Sequence, residues 1–218
     1  MKTETIALAA MCTLFTGCTN VKQHETMNTS DTIAINQSAD DSLLPQSLAS
    51  LNGPRLTDAF EWTREPKECI IREDRVEITT RPHTDLWQRT YYHFRNDNAP
   101  VFQMETEQPY FSFVVKTDFT GSHTRFDQCG IVMYLDSENW LKASVEYENS
   151  DFQHLGSVVT NHGYSDWATT AIPASERVMW YRLSRRADDY CIECSQDGEH
   201  FSQMRVCPRW PTARSAGG

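Results

Sequence analysis

The sequence predicts an all-β sandwich that extends from roughly Leu51 to Pro208. Three observations predict this fold class. Aromatic and β-branched residues come in short runs in which apolar and polar residues alternate, as they do in half-buried strands. Turn residues separate the runs at the regular spacing of a sandwich. No segment keeps a helical period for three turns.

The first runs after Leu51 predict a hairpin and two longer strands. Ile70-Ile71-Arg72 and Val76-Glu77-Ile78-Thr79-Thr80 flank the polar segment Glu73-Asp74-Arg75, which indicates a hairpin. Alternation predicts further strands over 86–94 and 110–116.

The clearest strand pair follows, on either side of the turn Asp136-Ser137-Glu138-Asn139. Before this turn, apolar residues recur at every second position from Cys129 to Leu135. After it, the alternation assigns one face to Leu141, Ala143, Val145 and Tyr147, and the other to Trp140, Lys142, Ser144 and Glu146. The remaining strands are expected over 155–160, 165–171, 178–185, 190–195 and 201–206, with Asp197-Gly198 as a tight turn between the last two.

The N-terminal segment is predicted to be a lipoprotein signal peptide over residues 1–17. Ile6 to Phe15 is an apolar run that is too short to span a bilayer as a helix but typical of a signal-peptide core. Leu14-Phe15-Thr16-Gly17-Cys18 resembles the bacterial lipobox, in which the cysteine is lipidated and becomes the mature N-terminus. The alternative is an ordinary buried N-terminal segment with an incidental cysteine.

Residues 18–50 are predicted to form a lipidated, disordered polar tether. They are rich in Ser, Thr, Asn, Gln and Asp, and their few aliphatic residues cannot bury enough apolar surface to offset the entropy of ordering. The expected location is therefore the extracytoplasmic side of a bacterial cell envelope, with membrane contact only through the lipid anchor.

The charge balance argues against nucleic acid as a partner. The formal net charge of the 218 residues is −10, and nucleic-acid binding requires a basic stripe that displaces counterions. The nearest candidate, Arg182-Arg185-Arg186, is flanked by Asp188 and Asp189 and is interpreted as a solvated face.

Several successive motifs carry a family resemblance. They are Trp62-Thr63-Arg64-Glu65-Pro66, Asp85-Leu86-Trp87-Gln88-Arg89-Thr90, Phe126-Asp127-Gln128-Cys129-Gly130, Glu138-Asn139-Trp140-Leu141-Lys142-Ala143, Val145-Glu146-Tyr147, Gly163-Tyr164-Ser165-Asp166-Trp167, Met179-Trp180-Tyr181-Arg182-Leu183-Ser184-Arg185 and Ser195-Gln196-Asp197-Gly198. Together they resemble the DUF1349 family, one member of which is described as a regulator of enolase. The resemblance implies a concanavalin A-like jelly roll of two antiparallel sheets, one convex and one concave, and it implies no agreed activity.

The C-terminal end departs from the family pattern. Family members usually continue past the position of Val206 with one or two more strands. Here Pro208-Arg209-Trp210-Pro211 cannot continue a paired strand, and residues 209–218 are predicted to form an irregular tail. Either a sheet edge is left open, which would favour self-association, or the reading frame is truncated.

The polar face of the Trp140 strand is the first candidate site. Trp140, Lys142 and Glu146 share this face, and Trp87 and Arg89 are expected to share a face of another strand. An aromatic ring beside charged groups on a concave sheet suits a sugar, whose C–H face packs on the ring while its hydroxyls bind the charges. The alternative is a structural Lys142–Glu146 network covered by the two tryptophans.

Two further segments are weaker candidates. Gly163-Tyr164-Ser165-Asp166-Trp167 lies between predicted strands, so Tyr164 and Asp166 are candidate ligand-binding residues, whereas Trp167 is expected to be structural. Glu146-Tyr147-Glu148 places two carboxylates on one strand face, the pair that a retaining glycosidase requires.

No cofactor or metal site is predicted. Cys191-Ile192-Glu193-Cys194 lies within a strand, which places the two cysteines on opposite faces, and no second cysteine pair is present. The chain also has no glycine-rich phosphate loop.

Three functions stay open at this point. The leading hypothesis is a non-catalytic, lectin-like module that binds carbohydrate through Trp87, Arg89, Trp140, Lys142, Glu146, Tyr164 and Asp166. The second is a glycoside hydrolase that uses Glu146 and Glu148. The third is a protein-interaction module.

The leader generates the first testable prediction. Cys18→Ser removes the thiol that would be lipidated, so the variant should lose metabolic palmitate labelling and leave the membrane fraction. Equal membrane partitioning of the variant and the parent, with no label on either, would contradict the lipoprotein assignment.

Overall fold

The computed structural model describes residues 60–72, 75–121 and 124–210, together with the backbone of residues 6–12. The lipidation site Cys18, the tether and residues 211–218 lie outside the described residues. Within the described part the regular structure is all strand, so no helix there is long and apolar enough to cross a membrane.

Fifteen strands form the described part. They are β1 (Ile6–Cys12), β2 (Glu61–Arg64), β3 (Glu68–Ile71), β4 (Val76–Thr79), β5 (Leu86–Gln88), β6 (Arg95–Asp97), β7 (Val101–Thr106), β8 (Tyr110–Asp118), β9 (Gln128–Asp136), β10 (Asn139–Tyr147), β11 (Phe152–Asn161), β12 (Tyr164–Pro173), β13 (Val178–Arg186), β14 (Asp189–Ser195) and β15 (Ser202–Pro208).

Two antiparallel sheets form the sandwich. The seven-stranded sheet has the order β12-β11-β10-β9-β1-β7-β2, and the four-stranded sheet has the order β15-β14-β13-β8. The hairpins β3–β4 and β5–β6 form two additional two-stranded sheets. The predicted all-β sandwich is therefore confirmed.

The main core lies between the two large sheets and follows the alternation of their strands. β10 contributes Leu141, Ala143 and Val145, as its sequence pattern predicts, and β13 contributes Met179, Tyr181 and Leu183. Trp210 joins this core although it was assigned to the irregular tail. Its indole Nε1 donates to the Thr160 carbonyl oxygen at 3.0 Å, which attaches the end of β15 to the opposite sheet.

A second apolar layer covers the other face of the seven-stranded sheet. It contains Leu86 and Trp87 of β5, Val132 of β9, Trp140 of β10 and Val158 of β11. The sheet is thus covered on both faces around β9 and β10, and the β5–β6 hairpin acts as the outer cover.

The predicted strand over 86–94 is wrong in its second half. The chain turns after Gln88 and returns as β6, with Arg89, Tyr91 and His93 at φ values of 56°, 63° and 62°. Residues other than glycine rarely adopt this left-handed backbone conformation. Backbone hydrogen bonds hold the turn closed, from Arg89 N to the Phe94 carbonyl oxygen at 2.9 Å and from His93 N to the Arg89 carbonyl oxygen at 2.7 Å.

The apolar segment Ile6–Cys12 forms β1, which lies between β7 and β9 in the seven-stranded sheet. It is antiparallel to both neighbours, and Ala9 is opposite Gln103 on one side and Val132 on the other. The signal-peptide assignment stays a prediction, because pairing in the unprocessed chain does not test export or cleavage.

Candidate functional site

The predicted polar face of β10 is closed by the β5–β6 hairpin. Trp140 has no exposed surface, and Lys142 and Trp87 are buried beside it. In this arrangement the Trp140 and Trp87 rings are therefore not accessible to a ligand, because the two rings pack with Leu86 in the covered layer. The alternation itself was correct: Trp140 and Lys142 do share the face opposite Leu141.

Lys142 is the polar centre of this covered face. Its Nζ donates to the Leu86 carbonyl oxygen at 2.9 Å and to Gln128 Oε1 at 3.0 Å, and it lies 3.3 Å from Asp85 Oδ1. A buried ammonium requires such partners, because its desolvation is otherwise costly. The contact set joins β10, β9 and the start of β5, so Lys142 attaches the hairpin to the sheet.

Glu146 lies further along the same face and is only partly buried. Burial is the main cause that raises the pKa of its carboxyl to about 7. The nearby charges have smaller effects on this pKa: Lys142 and Arg125 lower it, whereas Asp85 and Glu148 raise it. Glu148 forms an ion pair with Arg125 at 2.6 Å. This end of β10 therefore has one carboxyl that holds its proton near neutrality beside another that is paired with a cation.

Arg89 joins the β5–β6 turn to the turn between β11 and β12. Its Nη1 donates to the Gly163 carbonyl oxygen at 2.5 Å, and its Nη2 lies 3.0 Å from Glu138 Oε1. Its guanidinium also lies over the Tyr164 ring, 5.3 Å from the ring centroid. Gly163 is required at this point, because its φ is +74° and a Cβ there would overlap the Arg89 side chain.

The β5–β6 turn exposes three aromatic side chains to solvent, Tyr91 at 83%, Tyr92 at 51% and Phe94 at 43%, and Tyr164, 62% exposed, is joined to this turn through the Arg89 guanidinium. We call this set the exposed aromatic surface. Tyr91 and Tyr92 pack edge to face with their ring centroids 5.1 Å apart, and Tyr92 stacks on Phe94 with a centroid separation of 6.0 Å.

The exposed aromatic surface is continuous with the covered layer beneath it. Tyr92 contacts Trp87 at 5.5 Å, and Trp87 contacts Trp167 at 6.3 Å. Trp167 is partly buried against the same layer, in agreement with the structural role expected for it.

The structure divides the predicted binding residues into three places. Trp87, Trp140 and Lys142 lie in the covered layer, and Glu146 lies close to it. Arg89 and Tyr164 come together at the surface. Asp166 is separate from both groups, because it is exposed and contacts Arg205 of β15 at 3.3 Å.

Sequence reasoning missed Tyr91, Tyr92 and Phe94. The pair Tyr91-Tyr92 carried a signal, since two adjacent aromatic residues cannot both point into a core from one strand.

No group of His, Cys, Asp or Glu among the described residues is arranged to hold a metal ion. Cys69, Cys129, Cys191, Cys194 and Cys207 are free thiols. Burial raises the pKa values of Cys191 and Cys194, so neither thiol is activated as a nucleophile.

Comparison with known proteins identifies the family. Residues 62–217 match the family model described as "Protein of unknown function (DUF1349)". The chain belongs to the DUF1349 family. A relative from Saccharomyces cerevisiae (strain ATCC 204508 / S288c), "Regulation of enolase protein 1", is 31% identical over 153 residues, which are 70% of this chain and 74% of the relative.

The likeness to a solved structure supports the fold. The solved structure is described as the crystal structure of a functionally unknown protein from Saccharomyces cerevisiae. The likeness has a TM-score of 0.59 and 26% sequence identity, and it covers 72% of this chain and 82% of the other.

Glu146 generates a prediction about the pH dependence of stability. Its folded-state pKa of about 7 lies above the ordinary value of 4.5, so the folded state binds the proton more tightly than the unfolded state. The stability that this tighter proton binding gives the folded state is fully present below pH 4.5 and is lost as the pH rises to about 7. Glu146→Gln should therefore gain stability relative to the parent over this window, by up to about 3 kcal/mol.

Urea unfolding of both proteins at pH 4.5, 6 and 8 measures this difference. Glu61→Gln, which changes an exposed carboxyl of β2, is the matched control and should show no such trend. A Glu146→Gln difference that stays constant with pH would contradict the assignment.

Proposed function

We propose that this DUF1349 domain is a non-catalytic, lectin-like module that binds carbohydrate on the exposed aromatic surface. The observation that carries the proposal is the exposure of three aromatic rings on the β5–β6 turn, of which Tyr91 is 83% exposed, and of Tyr164, which Arg89 joins to this turn. Large exposed aromatic side chains that are clustered in this way mark binding sites on soluble domains.

The chemistry of the exposed aromatic surface suits a sugar. Tyrosine rings pack on the apolar C–H face of a pyranose, and their hydroxyl groups remain available for hydrogen bonds. Arg89 lies over the Tyr164 ring and Glu138 pairs with Arg89, so the two charged groups offer a donor and an acceptor to sugar hydroxyls. The predicted binding role of Arg89 and Tyr164 is retained, and Tyr91 and Tyr92 replace Trp140 as the platform.

The platform is also pre-organised, which reduces the entropy lost on binding. Three residues of the β5–β6 turn hold left-handed backbone conformations, and strained conformations of this kind cluster at functional sites. Arg89 connects the turn to Gly163 and Glu138, so both sides of the surface are held by one side chain.

The setting that we propose is an extracytoplasmic lipoprotein of the bacterial envelope. Cys18 would carry the lipid, and the polar segment after it would separate the sugar-binding domain from the membrane surface. Binding a glycan at that position is consistent with the net negative charge of −10, which disfavours polyanionic partners.

A protein-interaction module is the second candidate. Tyrosine and arginine are enriched in the residues that dominate binding energy at protein interfaces, and the exposed aromatic surface consists mainly of these types. The name of the relative, "Regulation of enolase protein 1", refers to an effect on another protein. A glycan array and a pull-down from soluble protein separate these two candidates.

Glycoside hydrolysis is the third candidate, and it rests on the pKa of about 7 for Glu146, beside the ion-paired Glu148. A protonated carboxyl near an ionised one is the arrangement of a retaining glycosidase. If the parent releases reducing sugar from a polysaccharide panel and Glu146→Gln does not, the domain is an enzyme. No release by the parent from any polysaccharide leaves the non-catalytic proposal in place.

The sugar-binding proposal predicts the effect of removing two rings. Tyr91→Ala and Tyr164→Ala should each weaken binding to the glycans selected by the array, by roughly tenfold for a lost aromatic contact of about 1.4 kcal/mol. The melting temperature should stay nearly constant, because both side chains are exposed. Isothermal titration and a thermal melt measure the two effects.

Phe126→Ala is the matched control for these variants. Phe126 is 56% exposed, and the Arg125 guanidinium lies over its ring, 4.5 Å from the ring centroid. It lies beside Tyr147, at the opposite end of β10 from Glu138 and Arg89. Equal losses of affinity in all three variants would indicate non-specific aromatic adhesion and would contradict the proposed site.

A further inference from the structure

The position of β1 divides the seven-stranded sheet into two parts. β1 is antiparallel to β7 and to β9, so β7 and β9 run parallel to each other on either side of it. In the described sheet all pairing between these two parts passes through β1. Without β1, the two inner edges would stand about 10 Å apart, which is twice the spacing of neighbouring strands and too wide for direct hydrogen bonds.

The gap between β7 and β9 has an apolar environment on both faces. Cys129, Ile131 and Met133 of β9 point into the main core, and Val132 points into the outer layer. A strand buried on both faces is expected to be a continuous apolar run rather than an alternating one. Ile6–Cys12 is such a run, because all seven of its residues are apolar.

The same apolar run is the predicted core of the signal peptide. Ile6–Cys12 therefore suits two environments, the interior of the sheet and the membrane during export, and it cannot occupy both at once. Cleavage before Cys18 would separate β1 from the domain. The inner edges of β7 and β9 would then present unpaired N–H and C=O groups, which are costly when water cannot reach them.

We propose that the gap between β7 and β9 is a strand-acceptor site for an apolar segment of a partner protein. Ile6–Cys12 fills the gap in the unprocessed chain, and the processed lipoprotein binds the partner strand in its place. The inference that a partner enters rests on the lipoprotein part of the proposed function.

The environment of the gap defines the partner segment. It is extended, about seven residues long to match β1, and antiparallel to both flanking strands. It is apolar on both faces and has no proline, because every interior N–H must join the ladder. Main-chain hydrogen bonds to both edges would supply affinity, and the two apolar layers would supply selectivity against charged segments.

The first arm of the test uses the full chain and does not depend on processing. Ala9 is opposite Gln103 and Val132, so Ala9→Pro removes a ladder donor at the centre of β1. Ala9→Val keeps the N–H and is the matched control. Hydrogen exchange of the β7 and β9 amides should become at least tenfold faster in Ala9→Pro than in Ala9→Val. Equal exchange in the two variants would overturn the proposal.

The second arm uses the processed form, a chain that begins at residue 18 with Cys18→Ser. The probe is a labelled synthetic peptide with the sequence of Ile6–Cys12 and two added lysines for solubility. We expect saturable one-to-one binding by fluorescence anisotropy, together with a higher melting temperature. The same peptide with Ala9→Pro should bind at least tenfold more weakly.

Either of two results in the second arm would overturn the proposal. One is the absence of a difference between the two peptides. The other is full protection of the β7 and β9 amides without any peptide, which would mean that the chain closes its own gap. If the processed form does not fold alone, refolding with the unmodified peptide must restore a cooperative melt, and failure with both peptides counts against the site. Palmitate labelling of Cys18 reports separately on the lipoprotein assignment.

Discussion

The arrangement of the whole outer layer depends on one buried charge, the ammonium of Lys142. It binds the Leu86 carbonyl oxygen, Gln128 Oε1 and Asp85, and these contacts join a central strand of the seven-stranded sheet to the β5–β6 hairpin. A lysine in this position cannot be left without acceptors, because the cost of burying an unpaired charge exceeds most single packing contributions. The hairpin therefore supplies polar partners to Lys142 and apolar cover to Trp140 at the same time.

This closure determines which aromatic rings are exposed to solvent. With Trp140 and Trp87 covered, the polar face of β10 has no open aromatic ring, and the exposed aromatic residues of the covering hairpin, Tyr91, Tyr92 and Phe94, lie at its turn. Arg89 contacts Gly163 and Glu138, so it attaches the β5–β6 turn to the turn between β11 and β12. The proposed recognition site is thus a consequence of the same hairpin that closes the predicted one.

The local pattern of the sequence was sufficient to predict the strands but not to predict which residues cover them. The facing of Leu141 and Trp140 follows from the two-residue period of a strand, which neighbouring residues determine. The burial of Trp140 depends on Leu86 and Trp87, which are distant in the sequence, and no local pattern encodes that contact. The turn after Gln88 was missed because its left-handed residues are arginine, tyrosine and histidine rather than glycine.

The role of Ile6–Cys12 could not be decided from sequence for a different reason. A continuous apolar run suits a membrane and the doubly buried centre of a sheet equally well, because both environments exclude water from every side. The family could be recognised from the sequence because its successive motifs occur in the same order along the domain. Ligand chemistry was not, since similar folds carry unrelated functions.

Hydrogen exchange of the Leu86, Trp87 and Gln88 amides in Lys142→Met tests the central claim most directly. Methionine keeps most of the volume of lysine but removes the donor to Leu86 and Gln128. Lys116→Met, on the exposed side of β8, is the control. These three amides should exchange at least tenfold faster in Lys142→Met, while the core amides of β13 change much less. Unchanged exchange of the β5 amides in Lys142→Met would contradict the claim that Lys142 holds the hairpin on the sheet.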